Sequence, residues 1–152
     1  MRIADTATDT AADGGEDIPR WSVADLYESL DAQPFRDAME RIDAGVTRLQ
    51  AAFDEHGIRA TGPRPVTDED GAAADAAIDH FNRVVEELHT LAAVVYATVS
   101  TDSRDQQAQA LLGTIETQSA RVTPLMARLA DWVHSLGVDE LADVSEQVRQ
   151  HH

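Results

Sequence analysis

The stretch Arg83 to Ala92 reads RVVEELHTLA and contains a Glu-x-x-His, Glu86 to His89. Carboxylate and imidazole at that spacing supply ligands in the di-iron helix bundles, where each must project inward from facing helices. A pair with the same spacing, Asp131 to His134, lies in DWVH. Helix geometry tests both. At about 100° per residue, Phe81, Val85, Leu88, Ala92 and Val95 cluster around one direction, with His89 about 80° to its side and Glu86 about 140° away. In the second pair, Asp131 lies nearly opposite the core side set by Leu125, Leu129 and Leu136. Both pairs therefore read as solvated surface residues, and no metal ligand is assigned.

Other routes to chemistry fare no better. His56 precedes a helix-stopping Gly57, where a cation suits the helix dipole. His80 falls at the edge of an apolar stripe, and His151 and His152 end the chain. No H-E-x-x-H, no G-x-x-x-x-G-K and no G-x-S-x-G occurs, which leaves zincin, phosphate-loop and nucleophile-elbow chemistry without a motif. With no cysteine, disulfides, thiolate metal sites and cysteine nucleophiles are excluded. No catalytic residue, cofactor-binding residue or metal site is assigned.

The elements that would position any site are helical. Apolar residues make up 43% of 152 residues and aromatics 5%, while Ala, Leu, Glu, Gln and Arg dominate the centre, which favours an all-α domain. Residues 1–19 lack periodicity and read as a disordered acidic lead-in to a domain over 20–150. Ser22 caps a short helix ending near Leu30, with Trp21 packing back on Leu26. Pro34 opens a long helix that Gly57 closes, and Phe35, Met39, Ile42, Val46, Leu49 and Phe53 form its seam. Thr67 with Asp70 makes a capping box for a helix running to about Val99, with Ile78, Phe81, Val85, Leu88, Ala92, Val95 and Val99 facing the core. Ser103 with Gln106 opens a third long helix, whose seam from Ala108 to Leu136 includes Leu111, Ile115, Val122, Leu125, Leu129 and Trp132. Pro124 predicts a kink near Ala120–Thr123. A last helix starts around Asp139 or Glu140 and runs into EQVRQHH. The expected architecture is an antiparallel bundle of three long amphipathic helices with short flanking helices.

Charge limits the partners. All twelve basic residues are Arg against 28 acids, and the formal net charge is −16. That balance argues against nucleic acid and against an anionic membrane surface. Distributed acid without lysine suits solubility in a high-salt cytoplasm, where salt screens self-repulsion. The N-terminus has no apolar segment of the signal-peptide kind, and a cytoplasmic location is expected.

One resemblance is carried by the whole set. PRWSVADLYESLDAQPFRDAMERI resembles the opening of the oligoendopeptidase F family of zinc metallopeptidases, through Trp21, Asp25, Leu26, Tyr27, Asp31 and Phe35, with Val23 where that family usually has Leu. The stretch from Leu88 to Leu141 resembles the family's next section through Tyr96, Asp102, Ser103, Ala108, Leu111 and Trp132. The resemblance implies a helical N-terminal region packed on a longer catalytic domain around a peptide-binding cavity. It also implies a zinc held by the two His of H-E-x-x-H and a downstream Glu, with the motif's Glu activating water. None of those positions exists here, so the chain alone is expected to be inactive and to need no cofactor.

Two functions compete. The first is a non-catalytic N-terminal domain, from a fragment or a truncated gene product, that forms a wall of the substrate cavity and supports an absent catalytic domain. Oligopeptide substrate would then belong only to the complete enzyme, and spare apolar surface is expected on the last helix and the Trp132 side. The second is a stand-alone helical interaction module that buries its spare seam by self-association as a homodimer.

Overall fold

Residues 26–151 are described by a computed structural model. Among them the chain is all-helical, with three long helices, α1 (Gln33–Glu55), α2 (Asp68–Thr101) and α3 (Gln106–Leu136), and two short ones, α4 (Val138–Ala142) and α5 (Glu146–Gln150). The lead-in over 1–19 and the expected Ser22 cap with Trp21 lie outside the described residues. Residues 26–32 form turns and bends rather than the end of a helix. Ala32, two residues before Pro34, is already extended at φ −62° and ψ 140°, so the chain enters α1 from a non-helical approach. Tyr27 is anchored there by an edge-on contact with Phe35, ring centroids 5.3 Å apart.

α1 forms where its punctuation places it. Pro34 occupies the first turn without a wasted donor. Gly57 takes φ +63°, the left-handed conformation that ends a helix with little strain. Phe35, Ile42, Val46, Leu49 and Phe53 of its seam are buried, while Met39 is only half-buried. α2 starts at the full capping box, in which the Thr67 hydroxyl accepts from the Asp70 amide and the Asp70 carboxylate accepts from the Thr67 amide. Arg64 tightens this start with two bonds to the Asp70 carboxylate, 2.7 and 2.6 Å long.

The core stripe of α2 departs from expectation. Besides Asp70 of the cap, its buried residues are Gly71, Ala74, Ala77, Val84, Leu88, Leu91, Val94 and Val95, whereas Ile78, Phe81, Val85, Ala92 and Val99 are half-buried. The inward direction is rotated by about 45° from the expected seam. Small residues explain this: α1 sits so close that a Cβ on Gly45 would lie 3.4 Å from the Val84 side chain. Ala77 lies beside Ala52 and Phe53 of α1, and the larger Ile78, Phe81 and Val85 stand on the flank facing α3.

α3 is capped by Asp105, whose side chain accepts from the Ala108 amide; Ser103 lies outside the helix. Asp105 takes the role because it stands three residues before a free first-turn donor, the ordinary cap spacing. The helix runs unbroken through Pro124. The carbonyl deprived of its donor belongs to Ala120, an exposed residue, so water can replace the bond. The expected last helix is two helices. Ser145, fully buried, caps the start of the second; its hydroxyl donates to Asp75 of α2 at 2.6 Å and accepts from the Val148 amide at 3.1 Å.

Polar clips tie α1 to α3. Asp43 accepts from Gln118 and Arg121, and Arg121 also donates to Thr47. Lower down, Arg128 donates to the carbonyls of Phe53 and Ile58 and to the Asp54 carboxylate. Among the described residues no buried side-chain nitrogen or oxygen lacks a partner. No helix among them is long and apolar enough to cross a membrane.

Candidate functional site

The rotation of α2 leaves an apolar flank. Ile78, Val85, Ala92 and Val99 recur every seven residues along it and are half-buried. Across from them α3 repeats Leu112, Ser119, Met126 and Val133 at the same interval. Met126 is 55% exposed, although it is large and apolar. Between the two stripes is a hollow of about 250 Å³, walled by Phe81, Val85 and Leu88 on one side and Val122 and Met126 on the other. A second hollow of about 340 Å³ continues the groove, where Ile78 and Leu129 meet Val138 of α4 and Val148 of α5. A seven-residue repeat keeps a stripe on one side of a helix, and two such stripes side by side form a seat for a third helix. The groove's polar rim is sparse: His89, Ser119 and Thr123 at one hollow, His134, Gln147 and His151 at the other.

The histidines weighed for metal chemistry fall around these features rather than at a common centre. Measured against the observed core direction, Glu86 points almost directly away and His89 about 120° aside. Both are exposed, as are Asp131 and His134. The Glu86 carbonyl accepts from the Thr90 hydroxyl, an ordinary within-helix bond. His56 is exposed beyond the end of α1, His80 is half-buried between α1 and α2, and His152 lies outside the described residues. Among the described residues no three His, Cys, Asp or Glu side chains gather as a metal-binding group. The zinc implied by the family resemblance therefore finds no ligand set here, and no step through it is derived.

Trp132 corrects an expectation. It was expected to border the surface left for a missing domain, yet it is 1% exposed and is the largest fully buried side chain among those described. Its place on α3 is on the core side, about 60° from the Leu129 direction, and the spare apolar surface lies instead on the α2/α3 flank.

Two polar pairings went unrecognised in the sequence. Gln118 is buried and bonded to Asp43. Asp75 receives the Ser145 hydroxyl and the Gln147 amide, at 2.6 and 2.9 Å. Burial opposes ionisation of Asp75, but these bonds, the Glu146 amide and the nearby Arg149 charge outweigh it and hold its pKa below the usual range. In each case the partner is some 70 residues away or more, so no local spacing announces the pair. Asp70 differs, because its Thr67 partner lies within one turn and was legible as a capping box. The Arg64 pairing leads the causes that push its pKa far below the usual carboxylate range. Compared with known protein families, characterised proteins and solved structures, the chain matches none of them.

Proposed function

We propose that this chain is a non-catalytic helical domain of the kind that opens oligoendopeptidase F-like zinc metallopeptidases. In this reading the three long helices form an antiparallel bundle, and the α2/α3 groove seats a helix of a catalytic domain that these 152 residues do not contain. The bundle then forms one wall of the peptide cavity, and hydrolysis belongs to the other domain. The observation that supports the reading is the pair of seven-residue apolar stripes, with Met126 more than half exposed between α2 and the missing neighbour. The arrangement of partners along the helices fits the topology: α1 and α3 pair residues 43 with 121 and 54 with 128, while α1 and α2 pair 41 with 87. The family itself rests on the sequence resemblance from Trp21 to Phe35 and from Tyr96 to Trp132.

The test is a complementation experiment. Purified chain with zinc is expected to cleave no fluorogenic oligopeptide. Mixing it with the separately produced catalytic part of an oligoendopeptidase F is expected to give a one-to-one complex and recover cleavage. A V85D/M126D double variant, altered only on the exposed flank, should keep its helical circular dichroism and lose both complex and recovery. A stable homodimer by light scattering, with no binding to the catalytic part, would overturn this reading in favour of the self-associating module.

A further inference from the structure

On the side of α2 turned away from the apolar flank, a second groove runs between α1 and α2, and its chemistry is the reverse. α1 contributes Arg41, Gly45 and Arg48, one helical turn apart on a single face. α2 contributes His80, Arg83, Val84 and Glu87 at matching turns. The space they enclose is about 300 Å³, at the small end of the range for small-molecule sites. Gly45 and Val84 form an apolar floor, and the close approach of the helices at Gly45 keeps that floor narrow.

The charge on its walls is out of character for the molecule. The chain carries 28 acids and a net charge of −16, and four of the arginines outside the groove are held by carboxylates: Arg64 by Asp70, Arg121 by Asp43, Arg128 by Asp54 and Arg149 by Glu146. In this groove the one lining carboxylate, Glu87, is taken by Arg41, with contacts of 3.0 Å from both Nε and a terminal nitrogen. Arg83 donates only its Nε to the Asp79 carbonyl on its own helix, which leaves its two terminal nitrogens unspent. Arg48, from the opposite helix, makes no hydrogen bond or ion pair among the described residues. Three guanidinium groups less one carboxylate leave two uncompensated positive charges, with His80 neutral between them.

We propose that this groove binds the dianionic phosphoryl group of a small phosphomonoester. The unspent N–H groups of Arg48 and Arg83 meet the phosphoryl oxygens from opposite walls, a geometry that planar guanidinium forks satisfy by paired bonds. His80 donates a third bond at the bottom, and the ester substituent lies along Gly45 and Val84. The local charge of two matches a tetrahedral dianion better than a single carboxylate. The surroundings of His80 agree. Burial, and then the charges of Arg83 and Arg48, hold its pKa below the ordinary histidine value. The charged and titratable groups facing it are Arg41 and Arg48 from α1, Arg83, Glu87 and Asp79 from α2, and His56 beyond the end of α1. The two nearest unpaired charges are both positive, so a bound dianion relieves them and raises the His80 pKa.

The experiment is a titration of the full chain with inorganic phosphate and then with phenyl phosphate, at fixed ionic strength set by sodium chloride, followed by histidine and arginine side-chain NMR. The expected result is saturable movement of His80, Arg48 and Arg83 signals, with the exposed Arg104 still, and a His80 pKa that rises when phosphate is bound. Sulfate should compete. R48Q/R83Q, changed at two exposed positions of which only Arg83 makes a bond, to a carbonyl of its own helix, should nearly keep its melting curve and weaken phosphate binding by about tenfold or more. R48K/R83K should restore part of the affinity, because the charge returns without the fork. Shifts that grow without saturation, shifts spread equally over all exposed arginines, or equal affinity for succinate would each overturn the proposal.

Discussion

Gly71 and Gly113 make a matched pair of tests for the packing of α2 against the C-terminal segment. Both stand inside long helices, where alanine is intrinsically better than glycine by about 1 kcal/mol. Their surroundings differ. A Cβ at Gly113 meets nothing within 4 Å, so Gly113→Ala should realise the full gain. A Cβ at Gly71 would stand 2.1 Å from the Val144 carbonyl oxygen and 2.7 Å from its carbon. These are backbone atoms, so no side chain can rotate away, and relief requires the α4–α5 link to retreat by roughly 1 Å or more. Val144 is bonded to Ser145, whose hydroxyl holds the Asp75 carboxylate at 2.6 Å. A retreat of that size breaks a charge-assisted hydrogen bond worth about 2 kcal/mol and loosens the buried Leu141 and Val148 by about another 1 kcal/mol. With the propensity gain deducted, Gly71→Ala should destabilise by about 2 kcal/mol and Gly113→Ala should stabilise by about 1 kcal/mol. Thermal melts followed by circular dichroism should place the two variants on opposite sides of the parent, at roughly 3–5 °C per kcal/mol. If Gly71→Ala melted above the parent, the close contact between α2 and the α4–α5 link would be refuted.

Three further outcomes follow from the same contacts. Asp75→Asn should cost about 1–2 kcal/mol and speed amide exchange over residues 145–150 more than in α1, measured by hydrogen exchange. Trp132→Ala should cost about 3–5 kcal/mol, which equilibrium urea unfolding will show, because the side chain is core and not rim. For acid, the sign is fixed by Asp70 and Asp75, whose folded pKa values are both depressed. Their contribution is present in full above the unfolded carboxylate value of about 3.9 and is lost as pH falls below it. The urea midpoint should therefore drop as pH is lowered below about 4, and more shallowly in Asp70→Asn.

The legible parts of the fold were those whose signals are local. Pro34, Gly57 and the Thr67–Asp70 box are each read by residues within one turn, and the structure uses all three at helix ends. The seam of α1 was legible because its interior is large and apolar. That of α2 was misplaced because its buried face is built partly of Gly71, Ala74 and Ala77, which weigh little in any apolar pattern, while Ile78 and Phe81 attract notice from a half-buried flank. Exclusion of the Glu86–His89 and Asp131–His134 pairs from the interior needed only rotation about a helix axis, and their exposure agrees with it. The break between α4 and α5 could not be read locally, since the group that stabilises it is Asp75, on another helix. Nor could the α1/α2 groove, because Arg48 and Arg83 become neighbours only after two helices meet.

The absence of lysine takes on a structural meaning beside these contacts. Arg128 bonds a carbonyl in the last turn of α1, another just beyond it and one carboxylate at once, and its guanidinium carbon stands 5.8 Å from the centre of the Phe53 ring. Arg121 likewise reaches Asp43, Thr47 and Gln118. An ammonium has three donors about a point and no flat face, so it could not satisfy three fixed acceptors while lying over a ring. Salt would screen the exposed ion pairs among these contacts, since the Debye length at molar salt is only about 3 Å. The bonds to the Phe53 and Ile58 carbonyls do not depend on a long-range field and persist. At high salt, such a chain would therefore gain more from guanidinium clips than from the charge they carry. The same reasoning separates the two grooves. Where an arginine serves as a clip, its donors are spent on carbonyls and carboxylates; Arg48 and Arg83 keep theirs on the two walls of one groove, where the proposed phosphoryl group would take them.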